Sequence, residues 1–396
     1  MRQMLTNCRV FDGERVHKNR NVLLNGRHIA DIGSAGVPPA AGERVIDLGG
    51  NLLAPGLIDL QVNGGGGVLF NDAPGTEVIA KIGAAHRRYG TTGFLPTLIS
   101  DVPDVTRAAV AAVDAAIAAE VPGVLGLHLE GPHLNPNFRG IHDAARLRPI
   151  DTEALDTIRS LERGRTLTTV APETLPKGTI RNLSGAGVIV FAGHSGASYG
   201  EIRAALDEGL AGFTHLFNAM SPLKSREPGV VGAALDDPGS VVGLIADGLH
   251  VHPASLRLAI AAKPRGKAVL VTDAMPTLGS AAGEFELFGE RVAVVNGRLV
   301  NDAGTLAGAQ LGLIDAVRNA SEFGGVDLYE ALRMASAYPA RVLGLQEQLG
   351  AIRPGYRASL IELDDDLTVV RSWIDGDLLE YPAEADGGRS DRQKRG

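Results

Sequence analysis

Cysteine is almost missing from this chain: Cys8 is the only one in 396 residues. A single thiol cannot form an internal disulfide, and such scarcity fits a reducing compartment. Excess positive charge is missing as well. The formal net charge is −8, which argues against nonspecific binding to nucleic acid or an anionic membrane. Two local arginines would still suffice to hold a phosphorylated substrate. Long apolar runs are lacking too. The opening stretch, MRQMLTNCRV, has no apolar segment of signal-peptide length. The most apolar helical segment, Ala108–Ala119, is interrupted by Asp114 and is too short to span a membrane. No internal repeat is visible. These absences predict a soluble cytoplasmic protein with no nucleic-acid or membrane partner.

What is present is an apolar fraction of 44%, enough for a substantial core. The chain is long enough for one barrel-sized domain and a smaller one. Residues 1–50 read as short strands joined by turns, among them Asn21–Asn25 and Arg44–Leu48, with Asn25-Gly26 as a hairpin signal. The stretch from Gly350 to Leu379 looks alike, with strands at Ser359–Leu363 and Thr368–Ile374 and a turn at Asp375-Gly376. The acidic triple Asp364–Asp366 reads as a solvated turn between them. Two strand-rich ends around one α/β body predict a small β domain assembled from both termini. The last residues, Ala383–Gly396, are polar and are expected to be disordered.

Between these ends lie eight strand candidates: Gly56–Val62, Gly93–Ile99, Gly123–Glu130, Thr166–Ala171, Val188–Ala192, Gly212–His215, Ser240–Ala246 and Ala268–Thr272. Most are separated by amphipathic or alanine-rich segments such as Glu77–Tyr89, Thr106–Ala119, Thr152–Leu161 and Tyr199–Glu208. Such alternation predicts a parallel sheet. Eight strands favour a closed barrel over an open doubly wound sheet. The sixth strand is the weakest, being short and followed by a loop without clear helical periodicity.

Four residues at the ends of these strands can carry chemistry: Glu130, His194, His215 and Asp273. In α/β barrels, functional side chains come from the ends of several strands. Glu130, in GLHLEGP, could equally pair with an arginine. A lone buried histidine is more often structural than a ligand. Two histidines at the ends of adjacent strands, about 4.8 Å apart, can however converge on one ion. A carboxylate with two imidazoles leaves a position for water, as a catalytic zinc site requires. Asp273 closes the apolar run AVLVTD, where it can act as a base or as a helix N-cap.

Other groups are weaker candidates. His250 and His252 have the spacing of a metal pair but lie beyond their strand, in DGLHVHP. His250 is read as a substrate contact, His252 as structural or exposed, and Pro253 as a helix start. Gly64–Gly67 could cradle a phosphate, but a plain flexible loop is the better reading. His17, His28 and His86 receive no role. His128 shares a strand face with Glu130, which suits a supporting position. His133 stays unassigned.

Taken together, PGLIDLQVNGGGG, GLHLEGPHLN, FAGHSGA, THLFNAMSPL, REPG, IADGLHVHP, VTDAMP and TLAG resemble the N-acetylglucosamine-6-phosphate deacetylases of the amidohydrolase superfamily. The resemblance runs through nearly the whole chain. It implies an α/β TIM barrel of the amidohydrolase type with a small β-sandwich domain formed by both termini. Residues 1–54 and 349–380 would form the small domain, 55–348 the catalytic barrel, and 381–396 a disordered tail. It implies a homodimer and a sugar-phosphate substrate. The metal ligands would be Glu130, His194 and His215, with Asp273 as general base and then acid. His142 would polarise the acetamide carbonyl. Asn218 and Ala219 would hold the phosphate, with Arg226 reaching it from the neighbouring subunit. Ile141, Asp247, Gly248, Leu249, His250, Leu306, Ala307 and Gly308 would complete the sugar pocket.

Many amidohydrolases carry a His-x-His pair at the end of the first strand and bind two metals. Here the position reads Gln61-Val62-Asn63, and neither amide is a strong ligand for a transition ion. One divalent ion per subunit is therefore expected: zinc, with iron, manganese or cobalt also fitting the donors. Gln61 and Asn63 would lie near it or its water. Relatives often carry lysines before the histidine matching His142, whereas this chain has Pro136-Asn137-Phe138-Arg139-Gly140. Dihydroorotase and hydantoinase types share the barrel but rely on the missing His-x-His pair. The galactosamine epimer as substrate, or a non-catalytic sugar-phosphate sensor, are the competing readings.

Overall fold

Strands buried on both faces read as mainly apolar runs, and the predicted strands between residues 56 and 272 have that character, with buried polar exceptions such as Asp59 and His128. In a computed structural model describing residues 2–34 and 41–381, they form a parallel eight-stranded sheet. Its strands are Leu57–Val62, Thr91–Ile99, Gly126–Glu130, Arg165–Val170, Ile189–Ala192, Gly212–Phe213, Val241–Leu244 and Ala268–Leu270. Each pairs with the next in chain order. All the expected strands are present, and the sixth has just two residues. The first and eighth share no regular ladder. A single parallel bridge, Val62 with Ala274, and the Asp273 N–H donating to Gln61 O at 3.0 Å close the barrel there.

The expected helices appear as Thr76–Arg87, Pro103–Ala118, Thr152–Arg159 and Tyr199–Asp207. The last begins with a capping box, in which Ser198 and Glu201 satisfy each other's backbone N–H. Pro253 opens the helix Pro253–Ala262, and His252 caps it by accepting from Ala254 N. Among the described residues, no helix is long and apolar enough to cross a membrane.

Both termini enter a second, mixed sheet. Its strands are Arg2–Phe11, Val16–Asn25, His28–Ser34, Arg44–Asp47, Leu52–Pro55, Leu360–Leu363, Val369–Ile374 and Asp377–Glu380. Leu5, Val22, Leu53, Leu360 and Trp373 form its own core, while Phe11, Leu52, Ile361 and Val369 pack into the barrel's core. The Asn25-Gly26 turn is realised, with Asn25 opposite His28 and Gly26 at a φ of +56° that favours glycine. Asp364 caps its acidic turn by accepting from the N–H groups of Asp366 and Thr368. The tail from residue 382 onward lies outside the described residues.

One element has no counterpart among the expected strands: a three-stranded antiparallel sheet, Glu284–Leu287, Glu290–Val295 and Arg298–Asn301. Its signal was the alternation in ERVAVV followed by Asn296-Gly297. Leu287, Val292 and Leu299 pack on Leu69, Ile99, Met275 and Ala307. Ile99 ends the second barrel strand and Met275 lies just past the eighth, so the sheet roofs the mouth where the strands end.

The two chain ends are tied by Asp375. Its carboxylate accepts from Arg357 Nε and Nη2 at 2.7 and 2.8 Å and from Arg27 Nη2 at 2.7 Å. Burial alone would raise its pKa, but the two guanidinium groups hold it below the ordinary 3.8. A depressed carboxylate stabilises the fold above its unfolded pKa and loses that contribution as pH falls through the folded value. Asp375→Asn should lower the unfolding free energy by about 2 kcal/mol at neutral pH. In urea titrations, the gap to wild type should shrink as pH falls below the carboxylate range; a gap independent of pH would contradict the assignment.

Candidate metal centre

Glu130, His194 and His215 come from the third, fifth and sixth barrel strands and meet at one buried point, with their ligand atoms within 4.8 Å of one another. Glu130 Oε1 lies 3.2 Å from His194 Nε2 and 2.9 Å from His215 Nε2, and the two nitrogens are 3.1 Å apart. Asp273 lies beside them. Its Oδ1 accepts from Gln61 Nε2 at 3.0 Å and from Asn63 Nδ2 at 2.6 Å, and the same Gln61 nitrogen donates to Glu130 Oε2 at 3.1 Å. The strand-end residues singled out in the sequence are thus brought together, with Gln61 and Asn63 among them.

The backbone makes this convergence possible. His194, His215 and Asp273 have φ values of +50°, +30° and +52°. Side chains rarely adopt this left-handed region, and it persists only where surroundings enforce it. Each residue lies just past the paired part of its strand, so the turn redirects the chain at the barrel mouth.

The donor set fits a divalent cation. His194 Nδ1 lies 3.0 Å from Phe138 O, which can only accept. In the neutral ring, Nε2 then carries a lone pair facing the Glu130 carboxylate and the His215 ring. Such a cluster of acceptors needs a proton or a cation at its centre. Glu130 would be raised by burial, but its bonds to both histidines hold it well below the ordinary carboxylate range. Burial would lower His215, whereas the bond to Glu130 and its charge raise it. Asp273 is pushed up to about 6, first by burial and then by the negative charge of Glu130.

His142 sits against this cluster, its ring 4.4 Å from that of His194. Burial and then the charge of His194 push its pKa down to about 3, so the ring is neutral at ordinary pH. Ser100 N donates to its Nδ1 at 3.3 Å, and Ser100 Oγ lies 2.7 Å from the same atom. That fixes the tautomer with Nε2 as the donor.

The unusual loop before His142 braces both histidines. Phe138 O holds His194, and Arg139 Nη1 donates to His142 O at 2.7 Å. Asp247 and His250 form a pair at 2.6 Å. Asp247 also accepts from the N–H groups of Leu249 and His250. Gly308 packs so tightly on Asp273 O that a Cβ there would lie 2.7 Å from it. Ala307 N donates to Leu299 O, which ties the Leu306–Gly308 strap to the roof. Ile141 packs against the same roof cluster. Asn218 Nδ2 donates to His215 O, and Ala219 O accepts from Ser195 N. Arg226 is exposed and forms no ion pair among the described residues.

Gly64–Gly67 is not the flexible loop expected. The N–H groups of Gly64, Gly66 and Gly67 donate to Ala274, Leu278 and Pro276 carbonyls, and His86 Nε2 bonds Gly64 O. With those donors spent inside the fold, this turn cannot cradle a phosphate through them. His128 contacts Thr169 and Thr97 inside the barrel, and His133 contacts Arg148 O.

Two supporting residues escaped the sequence reading. Ser100 follows the second barrel strand, and its strand-end position was the available signal. Glu173, beyond the fourth strand, accepts from Ser195 Oγ, Gly196 N and Asn135 Nδ2 at 2.7, 2.6 and 2.8 Å. It thereby ties the turn after His194 to the loop carrying Asn135, whose backbone N–H donates to His194 O.

A closed parallel barrel with a carboxylate–imidazole cluster and a nearby carboxylate at its mouth defines a metal-hydrolase type of site. The comparisons make this specific. A model of the amidohydrolase family matches residues 52–379. The chain is 44% identical to the N-acetylgalactosamine-6-phosphate deacetylase of Shewanella sp. (strain ANA-3), over 84% of each chain. It is 36% identical to the N-acetylglucosamine-6-phosphate deacetylase of Haemophilus influenzae, covering 96% of this chain and all of that one. The crystal structure of N-acetylglucosamine-6-phosphate deacetylase from Pasteurella multocida superposes with a TM-score of 0.92 at 33% identity, over 96% of this chain and 100% of that one. The chain belongs to the amidohydrolase family.

Removing one of these donors should empty the centre. His194→Ala or Glu130→Gln should weaken zinc binding by ~100-fold or more, measured by titration of the metal-stripped protein against a competing chelator. Affinity equal to wild type in either variant would remove that residue from the ligand set.

Proposed function

We propose that this protein hydrolyses the acetamide of N-acetyl-D-glucosamine 6-phosphate, giving D-glucosamine 6-phosphate and acetate. One observation carries the reading: Glu130, His194 and His215 gather around one point while Asp273 is held beside them by Gln61 and Asn63. The deacetylase names of relatives that align over most of the chain support the substrate class. A non-catalytic sensor would have no use for a base so placed.

Glu130, His194 and His215 would hold one divalent ion per subunit. Zinc suits a carboxylate and two imidazoles, and iron, manganese or cobalt fit the same donors. When bound, such an ion supplies Lewis acidity that polarises a carbonyl and makes water nucleophilic near neutral pH. The chain's own groups do the rest. Asp273 Oδ1 is occupied by two amide donors, which leaves Oδ2 to take the proton of the attacking water. His142, neutral and protonated on Nε2, donates to the acetamide oxygen as negative charge develops there. Protonated Asp273 then returns the proton to the departing amine, so one group serves as base and then acid.

Ile141, Asp247, Gly248, Leu249, His250 and Leu306–Gly308 would surround the sugar. Asn218 and Ala219 would meet its phosphate, and exposed Arg226 would reach it across a homodimer with a charge-assisted fork. The single, buried Cys8 suits a cytoplasmic location.

Acetate release should be followed with N-acetylglucosamine 6-phosphate, its galactosamine epimer and the unphosphorylated sugar. Fast release is expected from the first and very little from the unphosphorylated sugar. A clear preference for the galactosamine epimer, which the Shewanella relative's name makes a pointed comparison, would overturn the sugar assignment. Asp273→Asn should reduce kcat by at least ~100-fold; a variant turning over at near wild-type rate would show that another group is the base.

A further inference from the structure

Seven junctions of the barrel are stitched by backbone ladders, but the seam between Leu57–Val62 and Ala268–Leu270 is not. Asp59 lies in that seam, fully buried in the middle of the first strand. An unpaired buried carboxylate is costly, and this one is satisfied by neutral donors from the two strands. Its Oδ2 accepts from Thr272 Oγ1 at 2.6 Å. Its Oδ1 accepts from Thr272 N at 3.3 Å and Gln61 N at 3.2 Å. The Thr272 hydroxyl is the hub: it donates to Asp59 and accepts from Ala274 N at 3.3 Å. Residues on both sides of Asp273 are thus held by one hydroxyl–carboxylate pair. Asp273 itself needs such restraint, because its φ of +52° is not one an aspartate adopts freely.

We propose that Asp59 is a positioning residue: by gripping the hydroxyl and N–H of Thr272 it completes the barrel seam and sets where Asp273 presents its carboxylate. Gln61 and Asn63 grip the Asp273 side chain, and Asp59 grips the backbone that carries it. The inference rests on Asp273 being the base. It predicts a selective defect, since Glu130, His194 and His215 stand on other strands and the sugar-binding residues on other loops.

Thr272→Val keeps the residue's shape and backbone N–H but removes the hydroxyl. With N-acetylglucosamine 6-phosphate, kcat should fall by ~10- to 100-fold, as a misplaced reacting group costs. KM and zinc stoichiometry should stay near wild type. Thr272→Ser, which restores the hydroxyl, should recover most of the lost kcat. In a crystal structure of Thr272→Val, the Asp273 carboxylate should leave the 2.6 Å contact it makes with Asn63 Nδ2. Unchanged kcat, an unmoved Asp273, or a joint loss of KM and metal content would overturn the proposal. If wild-type protein releases no acetate, the activity reading fails, but the position of Asp273 in the variant still decides this claim.

Discussion

The structure turns on one electrostatic demand: two imidazole nitrogens and a carboxylate oxygen converge within 3.2 Å of one another in a buried site. Without a positive charge at their centre, the lone pairs oppose one another in a medium that screens weakly. A cation relieves this, and the surrounding groups are arranged so that only a cation or a proton can. Phe138 O fixes His194 with its donor turned away from the cluster. The Gln61 amide spends its N–H groups on the outer oxygens of Glu130 and Asp273.

The barrel makes that crowding affordable. Its strands are buried on both faces and anchor their ends through a continuous core of residues such as Leu127, Val190, Phe213 and Leu270. The energetic cost of left-handed backbone at His194, His215 and Asp273 is then offset by packing far from the site. The roof of Glu284–Asn301 adds a second anchor. Its core includes Met275 and Ala307, close to Asp273 and Gly308, so the mouth is held from above as well as from the strands below.

Much of this could be read in the sequence because both kinds of signal are local. Apolar runs ending in Glu130, His194, His215 or Asp273 mark strands that deliver polar groups to one mouth, and the alternation with helices gives the barrel. The resemblance to deacetylases supplied His142, whose loop shows no chemical signature of its own. What escaped was relational. Ser100 and Glu173 act through neighbours distant in sequence, so nothing near them in the chain announces their partners. Asp59, in the run LIDLQV, received no role, since its meaning depends on Thr272, more than two hundred residues later. The roof strands were missed for another reason: they are short, half exposed and outside the βα rhythm that guided the reading. The glycine run was read as a flexible loop because glycine carries no side chain to announce a partner, whereas the fold spends its backbone N–H groups on Ala274, Leu278 and Pro276.

In the proposed mechanism, Gln61 and Asn63 account for a single ion with a base beside it. While no cation is bound, burial first and then the negative charge of Glu130 push the Asp273 pKa up to about 6. A second cation between them would relieve the repulsion but would pull the Asp273 pKa down and weaken it as a base. An amide does something different. Its N–H groups bridge the two carboxylates and fix their separation, yet it adds no net charge. A neutral bridge therefore fixes the geometry at a smaller cost in basicity, the Asn63 bond lowering the Asp273 pKa only against the larger raising effects of burial and Glu130. On this view the amides that stand in place of a His-x-His pair hold the Asp273 carboxylate still, while burial keeps its pKa raised.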